Sequence, residues 1–381
     1  MKKKIIVFSN YYLPGTLAGG PIRSIEGLIK KLSNLFSFEL VTSSHDAFSN
    51  QNYENIKINE WNDLKYANCL YLSDKKLSFS LIRNILSSGK HDIIYLNSFF
   101  NFWYSIVPIL IYRYTDLDGI KLILAPRGEF NSNALNNNRL KKSIFLFISR
   151  FLKLHKEIIW HASTVHEEED IKVFFKEADI KVVSNISLID HQSNIVKKNK
   201  AKNELNILFF SRITKMKNLT GALRILKNFN ETINFNIYGP KEDQNYYDEV
   251  VSLINDLPKN INVNVIGPLE HEKIREAFDM HHLLFLPTLG ENYGHVIRES
   301  LANNCPAIIS NKTPWENFQE NNIGFICNID NDIEFVQSIK FFLRMTQNEY
   351  DKYISTMSNN VEKLFSESDV IDKSVKLFDE I

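Results

Sequence analysis

The sequence predicts an α/β protein built from two successive parallel β-sheets. Two observations support this fold class. Short β-rich runs alternate with helical segments along the chain, and a polar stretch near the middle divides them into two sets. Such alternation is typical of parallel sheets with helices on both faces. The 381 residues suit two domains of under about 200 residues each.

Each strand is predicted from a short apolar run, and each helix from apolar residues that recur every three or four positions. In the first half, the predicted strands are 5–8, 38–42, 93–96, 121–125 and 158–161, and the predicted helices are 22–34, 99–114, 139–153 and 167–175. In the second half, the predicted strands are 205–210, 233–238, 261–266, 283–287 and 307–310, and the predicted helices are 219–229, 246–257, 271–280 and 295–303.

The stretch 190–203 is polar and basic and has no periodicity, so it marks the boundary between the two sets. We predict an N-terminal domain over 1–190 and a C-terminal domain over 204–365. The remaining segment, 366–381, ends in an amphipathic helix.

Charge and cysteine content disfavour several classes of function. Lys plus Arg and Asp plus Glu both number 45, and this balance gives nucleic-acid binding no support. Cys69, Cys305 and Cys327 lack the spacing of a zinc site or a disulfide framework. The first apolar run stops after Phe8, too short for a signal peptide, and no run is long enough to span a membrane. We therefore expect a cytoplasmic protein.

The most informative segment runs from Thr288 to Trp315. Glu291 and Glu299 stand eight positions apart, and the turn Asn292-Tyr293-Gly294 between them leads into a helix. A helix N-terminus beside a glycine presents free N–H groups and partial positive charge, which favours a phosphate. Carboxylates on either side can accept hydrogen bonds from hydroxyl groups. The layout suits a nucleotide sugar, and the alternative is an ordinary surface pair of glutamates.

This segment resembles the E-x7-E signature of family 4 glycosyltransferases. The strand LLFLPT, the Tyr-Gly turn, the Cys-Pro after the helix and the strand AIIS strengthen the resemblance, which covers most of the chain. It implies a retaining enzyme that uses a nucleotide-sugar donor. It also implies the GT-B fold, in which two Rossmann-like domains with parallel sheets face each other across a cleft. In that fold the final helix, here within 366–381, is expected to cross back onto the N-terminal domain.

The resemblance also implies roles for the residues of this segment. Glu299 is expected to bind the ribose hydroxyls, and Glu291 to lie nearer the transferred sugar. The backbone at Tyr293, Gly294 and His295 is expected to meet the diphosphate and the sugar hydroxyls.

Arg212 and Lys217 lie five positions apart between a strand and a helix. The family shows an Arg and a Lys at this spacing, directed towards the donor diphosphate. Negative charge grows on that group as the glycosidic bond breaks, and fixed cations stabilise it. We therefore expect no cofactor and no metal requirement. The alternative is a solvated basic loop, to which Lys215 is assigned.

Two glycine turns are predicted to bind the donor. Gly19-Gly20, between the first strand and the first helix, allows close approach of a ligand to the backbone. It resembles the family's N-terminal glycine loop, which lines the donor diphosphate and the acceptor. Gly239-Pro240 resembles the family's turn near the nucleotide. For each turn, the alternative is a plain connection without ligand contact.

Arg127 and Glu129 follow the predicted strand 121–125. Many family members have a histidine here that contacts the transferred sugar, whereas a subset of bacterial polysaccharide transferases reads Pro-Arg-Gly. We predict both residues as catalytic. Arg127 would bind a donor or acceptor phosphate, and Glu129 would accept a hydrogen bond from an acceptor hydroxyl or act as a base. The alternative is a salt bridge between them. His161 is expected to be a core residue.

The stretch 139–156 is basic, has no acidic residue and is rich in large apolar side chains. Phe145, Ile148, Phe151 and Leu152 are predicted to lie on one face that packs on the sheet. The cations would then face solvent or an anionic membrane surface. Acceptors in related bacterial pathways are often polyprenyl-diphosphate-linked, so peripheral attachment to the inner face of the cytoplasmic membrane is a hypothesis.

The sequence thus predicts a hexosyltransferase. The donor would be a UDP- or GDP-sugar, and the acceptor a glycan or a polyprenyl-diphosphate-linked oligosaccharide in bacterial O-antigen or capsule synthesis. Two alternatives stay open: a GT-B nucleotide-sugar epimerase or hydrolase, and a non-catalytic nucleotide-sugar-binding protein. A NAD-dependent Rossmann enzyme is disfavoured because no GxGxxG follows the first strand.

Overall fold

The computed structural model describes residues 2–380 except 116, 118, 137–138, 189–190, 193, 270–272 and 366–367. The chain divides into two compact units. The first comprises Met1–Leu188 and Glu367–Ile381, and the second comprises Ile189–Ser366. Three residues at edges of predicted domains or helices, Asp190, His271 and Ser366, lie outside the described residues.

The strands of the first unit are β1 Lys4–Phe8, β2 Ser37–Ser43, β3 Trp61–Leu64, β4 Ala67–Leu72, β5 Ile93–Asn97, β6 Lys121–Ala125, β7 Ile158–Ala162 and β8 Asp179–Val182. Within the described residues they form one sheet of order β3-β4-β2-β1-β5-β6-β7-β8. Neighbouring strands are parallel except β3 and β4. The helices in this stretch are α1 Gly20–Leu32, α2 Phe79–Ser88, α3 Val107–Tyr114, α4 Ser132–Asn136, α5 Arg139–Phe151 and α6 Val165–Phe174, with a π-helical turn, Phe102–Ile106, before α3.

Alternate residues of the central strands contribute to two separate hydrophobic cores. Ile6 and Phe8 of β1 belong to one core, and Ile5 and Val7 belong to the other. Successive side chains of a strand point to opposite faces, so this sheet is buried on both sides, as parallel sheets usually are.

The strands of the second unit are β9 Glu204–Phe210, β10 Thr232–Tyr238, β11 Ile261–Gly267, β12 Leu283–Leu286, β13 Ala307–Ser310 and β14 Gly324–Cys327. They pair in parallel in the order β11-β10-β9-β12-β13-β14. The helices are α7 Leu219–Leu226, α8 Gln244–Asn255, α9 Ile274–Met280, α10 His295–Ala302, α11 Asp332–Arg344 and α12 Gln347–Leu364.

The predicted class, two largely parallel α/β sheets, is confirmed. All ten predicted strands are present with small shifts at their ends, and the helical regions fall where periodicity places them. The prediction missed β3, β4, β8 and β14. The edge strands β3 and β8 alternate between exposed and half-buried residues, so they lack the apolar run that marks a buried strand.

The expected packing of α5 was wrong for most of its apolar residues. Leu146 is buried and Phe145 is half-buried, but Phe151 is 77% exposed, and Ile148 and Leu152 are exposed as well. The helix thus presents a large apolar surface to solvent. In the described part of the chain, no helix is both long and apolar enough to cross a membrane.

The last helix, α13 Ser368–Asp379, packs against α1 in the first unit. Its Leu377 and Phe378 are buried in a core of that unit. The ring of Phe378 stands edge-on to Phe36 and Tyr95, with centroid separations of 5.6 and 5.5 Å. Lys3 Nζ donates to the Phe378 carbonyl at 2.9 Å, where a cation stabilises the end of a helix.

We expect Phe378→Ala to lower the free energy of unfolding of the first unit by about 3–5 kcal/mol, because it removes a fully buried ring. Urea unfolding followed by circular dichroism measures the change. Leu35→Ala is the control, since this exposed side chain should contribute about 0.5 kcal/mol or less. Equal effects of the two substitutions would contradict the docking of α13.

Candidate functional site

The order of the second sheet reverses between β9 and β12. The strands on one side run β9, β10, β11, and those on the other run β12, β13, β14. The loops that follow β9 and β12 therefore leave the carboxyl edge in opposite directions. In open α/β sheets this switch point is where ligands bind.

Two predicted catalytic residues meet at this switch point. Lys217 ends a short 3-10 helix after β9, and Glu291 lies in the loop after β12. The Lys217 Nζ and Glu291 Oε2 atoms are 2.6 Å apart, and the two side chains are only 10% and 17% exposed. An ion pair this enclosed is screened less than a surface pair, so it fixes both side chains at the edge of the sheet.

Hydrogen bonds outside the ion pair join the same two loops. Asn218 adopts a left-handed conformation, and its amide nitrogen donates to the Pro287 carbonyl at 2.9 Å. The Met216 carbonyl accepts from the Thr288 hydroxyl at 3.0 Å and from the Leu289 N–H at 2.7 Å. The sequence analysis missed Asn218, although an asparagine directly before a helix is a common N-cap signal.

Helix α10 begins beside this pair of loops. Gly294, with φ of 81°, is its N-cap, and the Tyr293 carbonyl accepts from Trp315 Nε1 at 2.8 Å. The Tyr293 and His295 rings lie 4.7 Å apart, and Glu299 is buried one turn into the helix. The structure thus gathers the predicted donor-binding residues of this segment at the N-terminal end of α10.

Arg212 is paired with a residue that the sequence analysis missed. Its Nη1 lies 2.7 Å from Oε2 of Glu242, in a pair more exposed than that of Lys217. The turn at Gly239-Pro240 lies alongside, since the Pro240 carbonyl accepts from Ile213 N–H at 2.9 Å. Both predicted cations of this unit are therefore held by carboxylates.

In the first unit, Arg127 follows β6 with a φ of 56°, which is rare for a residue with a side chain. Its Nε and Nη2 donate to Oδ1 of Asn97 at 3.0 and 2.7 Å. Nη2 also donates to the Tyr95 hydroxyl at 2.8 Å, and Nη1 donates to Oδ1 of Asn185 at 2.5 Å.

The Tyr95 hydroxyl continues this network into the core. It lies 2.8 Å from Nδ1 of His161, while Nε2 of His161 lies 2.8 Å from the Val183 carbonyl. Because a carbonyl only accepts, Nε2 carries the proton and Nδ1 accepts from Tyr95. Burial and the nearby Arg127 charge lower the pKa of His161 to about 3, so the imidazole is neutral. His161 is a buried residue with both nitrogens bonded.

Glu129 has partners other than Arg127. Its carboxylate accepts from the Ser98 hydroxyl at 2.7 Å and from the N–H groups of Phe99 and Phe100 at 2.5 and 3.2 Å. Burial raises the pKa of this carboxyl, and these hydrogen bonds oppose the shift. Glu129 therefore fixes the loop after β5 through hydrogen bonds, and the alternative of a salt bridge to Arg127 is not observed among the described residues.

Glu167 of α6 holds the turn that carries Arg127, and the sequence analysis missed it. Its buried carboxylate accepts from the Gly128 N–H at 2.5 Å and from the N–H and hydroxyl of Ser163, each at 2.7 Å. The spacing of Thr164 and Glu167 is that of a capping box, which was the available signal.

The Gly19-Gly20 turn lies at the switch point of the first sheet, where the order reverses between β1 and β5. Gly19 is the N-cap of α1 with φ of 69°. The Asp46 carboxylate accepts from the N–H groups of Thr16 and Leu17 at 2.8 and 3.2 Å and so fixes the loop. Among the described residues, no group of three or more His, Cys, Asp or Glu could hold a metal ion.

Comparisons with known proteins agree with this architecture. Residues 190–360 match the family model described as glycosyl transferases group 1. Sucrose-phosphate synthase from Thermosynechococcus elongatus is similar over 100% of this chain and 99% of its own, with a TM-score of 0.72 and 13% identity. HepE from Anabaena, solved with UDP and glucose, covers 98% of each chain with a TM-score of 0.67 and 12% identity.

A trehalose-6-phosphate synthase, OtsA, is also similar, over 100% of this chain and 98% of its own, with a TM-score of 0.67 and 12% identity. No curated protein matches the sequence at a significant level. The structural likenesses define the fold as GT-B. The matched segment lies within the second unit, and together with the structural likenesses it supports a transferase enzyme, as predicted.

We expect Gly239→Ala to destabilise the second unit more than Gly267→Ala does. Both glycines have positive φ, but a Cβ at Gly239 would overlap the Ser211 carbonyl, whereas a Cβ at Gly267 meets open space. The Gly267 variant should therefore lose only about 1–2 kcal/mol of stability, which is the cost of placing a side chain on a left-handed backbone. Urea unfolding measures the free energy of unfolding of both variants. A Gly239 variant as stable as the Gly267 control would contradict the prediction, because the turn would then move to make room for the Cβ.

Proposed function

We propose that this chain is a retaining glycosyltransferase of family 4 that transfers a sugar from a UDP- or GDP-sugar. The observation that carries the proposal is the enclosed Lys217–Glu291 pair at the switch point of the second sheet. A donor diphosphate there would face Lys217, Arg212 and the N-terminus of α10. Glu299 would bind the ribose hydroxyls, and Glu291 would lie near the transferred sugar.

The ligands bound by structurally similar proteins support the choice of donor. HepE was solved with UDP-glucose, and a structure described as trehalose-6-phosphate from E. coli was solved with UDP-2-fluoro glucose. Glycosyl transfer with retention is the subject of a further study of trehalose-6-phosphate synthase. For this chain, we assign the nucleotide sugar to the second unit, which includes residues 204–365, and the acceptor to the first, over 1–190.

The mechanism follows from the charges at the site. As the bond from sugar to diphosphate breaks, negative charge moves onto the leaving diphosphate. Lys217 is held by Glu291 and Arg212 by Glu242, so each cation is fixed before the donor arrives. Such preorganised cations stabilise the transition state more than the ground state. The acceptor hydroxyl attacks on the same face from which the diphosphate leaves, and its proton passes to the departing phosphate oxygen as the new glycosidic bond forms.

The acceptor we propose is a glycan or a polyprenyl-diphosphate-linked oligosaccharide of bacterial O-antigen or capsule synthesis. Helix α5 supports a lipid-linked acceptor. Leu140, Ile144, Phe147 and Phe151 follow one another at spacings of four, three and four, which places them on one helix face. They are 80%, 59%, 72% and 77% exposed, respectively.

Exposed cations accompany this apolar face: Arg139, Lys141, Arg150, Lys153 and Lys156. A solvent-exposed helix with one apolar stripe and several cations suits an anionic bilayer surface, where each cation contributes about 1 kcal/mol. We therefore propose peripheral attachment through residues 139–156 to the inner face of the cytoplasmic membrane.

Lys217→Ala should lower turnover by about 100-fold or more, because a fixed cation near the leaving group is lost. Initial rates of UDP or GDP release, with and without acceptor extract, measure this effect. Lys215 lies exposed in the same loop, so Lys215→Ala is the matched control.

Glu299→Ala should weaken nucleotide binding about 10-fold, as measured by calorimetry. Glu316 is exposed, so Glu316→Ala is its control. Unchanged values in both site variants would refute the assignment, and equal release without acceptor would favour a hydrolase.

Vesicles with about one third anionic lipid should bind the protein in a flotation assay at low salt, and binding should weaken as salt rises. The double substitution Phe147→Ser and Phe151→Ser should abolish flotation, because it removes two exposed rings from the apolar face. Val173→Ser, at a residue 67% exposed on α6, is the control. Absence of binding by the unmodified protein at low salt would remove the membrane proposal.

A further inference from the structure

The guanidinium of Arg127 is half-buried, and within the described residues its hydrogen bonds all go to neutral oxygens. Four of its five N–H groups donate, and the acceptors are the amide oxygens of Asn97 and Asn185 and the hydroxyl of Tyr95. In the described part of the chain, Arg127 forms no ion pair with a carboxylate. This distinguishes it from Lys217 and Arg212, which are each paired with a glutamate.

Among the described residues, no carboxylate pairs directly with Arg127, although the charge of the buried Glu167 reaches the neighbouring Tyr95. His161, linked to it through Tyr95, is neutral. The Glu167 carboxylate is turned to the N–H of Gly128 and to Ser163, and the Glu129 carboxylate to the loop after β5. A half-buried cation without a counter-ion is costly to a fold, and so it indicates a function.

The backbone supports the same conclusion. Arg127 has a left-handed φ of 56°, a conformation that side chains disfavour. The hydrogen bond from Gly128 N–H to Glu167 holds the turn in this conformation. Strain of this kind persists where the surrounding structure fixes a residue for a task. Here it directs the arginine into a neutral cradle, formed by Tyr95, Asn97 and Asn185, at the carboxyl edge of the first sheet.

We propose that Tyr95, Asn97 and Asn185 position Arg127 as an uncompensated cation that binds a phosphate oxyanion of a substrate. Neutral acceptors orient the guanidinium without cancelling its charge, whereas a carboxylate in their place would cancel it. One N–H of Nη1 stays available to the oxyanion. The phosphate belongs either to the donor or to an anionic acceptor. This inference rests on the proposed transferase function and names the chemistry of its substrate.

The test uses Asn97→Asp, which keeps the side-chain shape but gives Arg127 a counter-ion. The full chain carries Arg212→Ala and Lys217→Ala, which remove the cations of the second unit. Calorimetry with inorganic pyrophosphate at fixed ionic strength should show binding that Asn97→Asp and Arg127→Met each weaken about 10-fold or more. Asn185→Asp should do the same from the other side of the guanidinium, and Arg127→Lys should restore part of the affinity lost in Arg127→Met.

Asn84→Asp is the matched control, because it makes the same charge change on an exposed position of α2. It should alter affinity by no more than about twofold. Thermal unfolding verifies that each variant folds. Pyrophosphate affinity that is equal in the control and in the Asn97 and Arg127 variants would overturn the proposal, since Arg127 would then bind no oxyanion.

Two further measurements with Arg212 and Lys217 intact distinguish the sources of the phosphate. If Asn97→Asp weakens UDP binding about 10-fold, the oxyanion belongs to the donor. If pyrophosphate still binds under saturating UDP, and Asn97→Asp removes that binding, the oxyanion belongs to the acceptor. Failure of the Lys217 turnover test and of the Glu299 binding test would refute the second-unit site alone, because the pyrophosphate test is made with Arg212 and Lys217 both replaced.

Discussion

Burial of both faces of the two parallel sheets is the constraint on which the rest of this protein depends. Inside the sheet, strands such as β12 and β13 are buried along their whole length, because helices cover them on both sides. Chemistry is therefore confined to the carboxyl ends, where loops leave the strands. Each sheet also has one point at which the strand order reverses, and the loops on its two sides separate there. The candidate functional side chains collect at these edges for this reason.

The two units hold their cations by different means. In the second unit, carboxylates fix Lys217 and Arg212, so each charge is partly offset. In the first unit, amide and hydroxyl oxygens fix Arg127 and leave its charge whole. Paired cations suit a group whose charge grows during reaction, because their attraction is greatest when that charge is present. An unpaired cation suits a group that is fully charged from the start.

The sequence was sufficient for the elements whose side chains have a clear period, such as β5, β9 and α10. It failed for β3 and β8, whose edge positions need no apolar run. It also failed for the packing of α5, because a basic amphipathic helix has the same pattern whether its apolar face meets a sheet or solvent. The loops of Lys217 and Glu291 were recognised separately, but their contact depends on the reversal of strand order, which no local pattern encodes. The cradle of Arg127 joins residues from 95 to 185 and lay beyond sequence reasoning for the same reason.

The position of Phe378 has a consequence for synthesis on the ribosome. This residue completes the core of the first unit and touches Tyr95, which in turn bonds Arg127. Every residue of the second unit is translated between these two parts of the first. At about 5–20 residues per second, the first unit emerges many seconds before the helix that completes it. Its core therefore lacks the Phe378 ring during that interval, and Tyr95 gains this contact only after the whole of the second unit has been made.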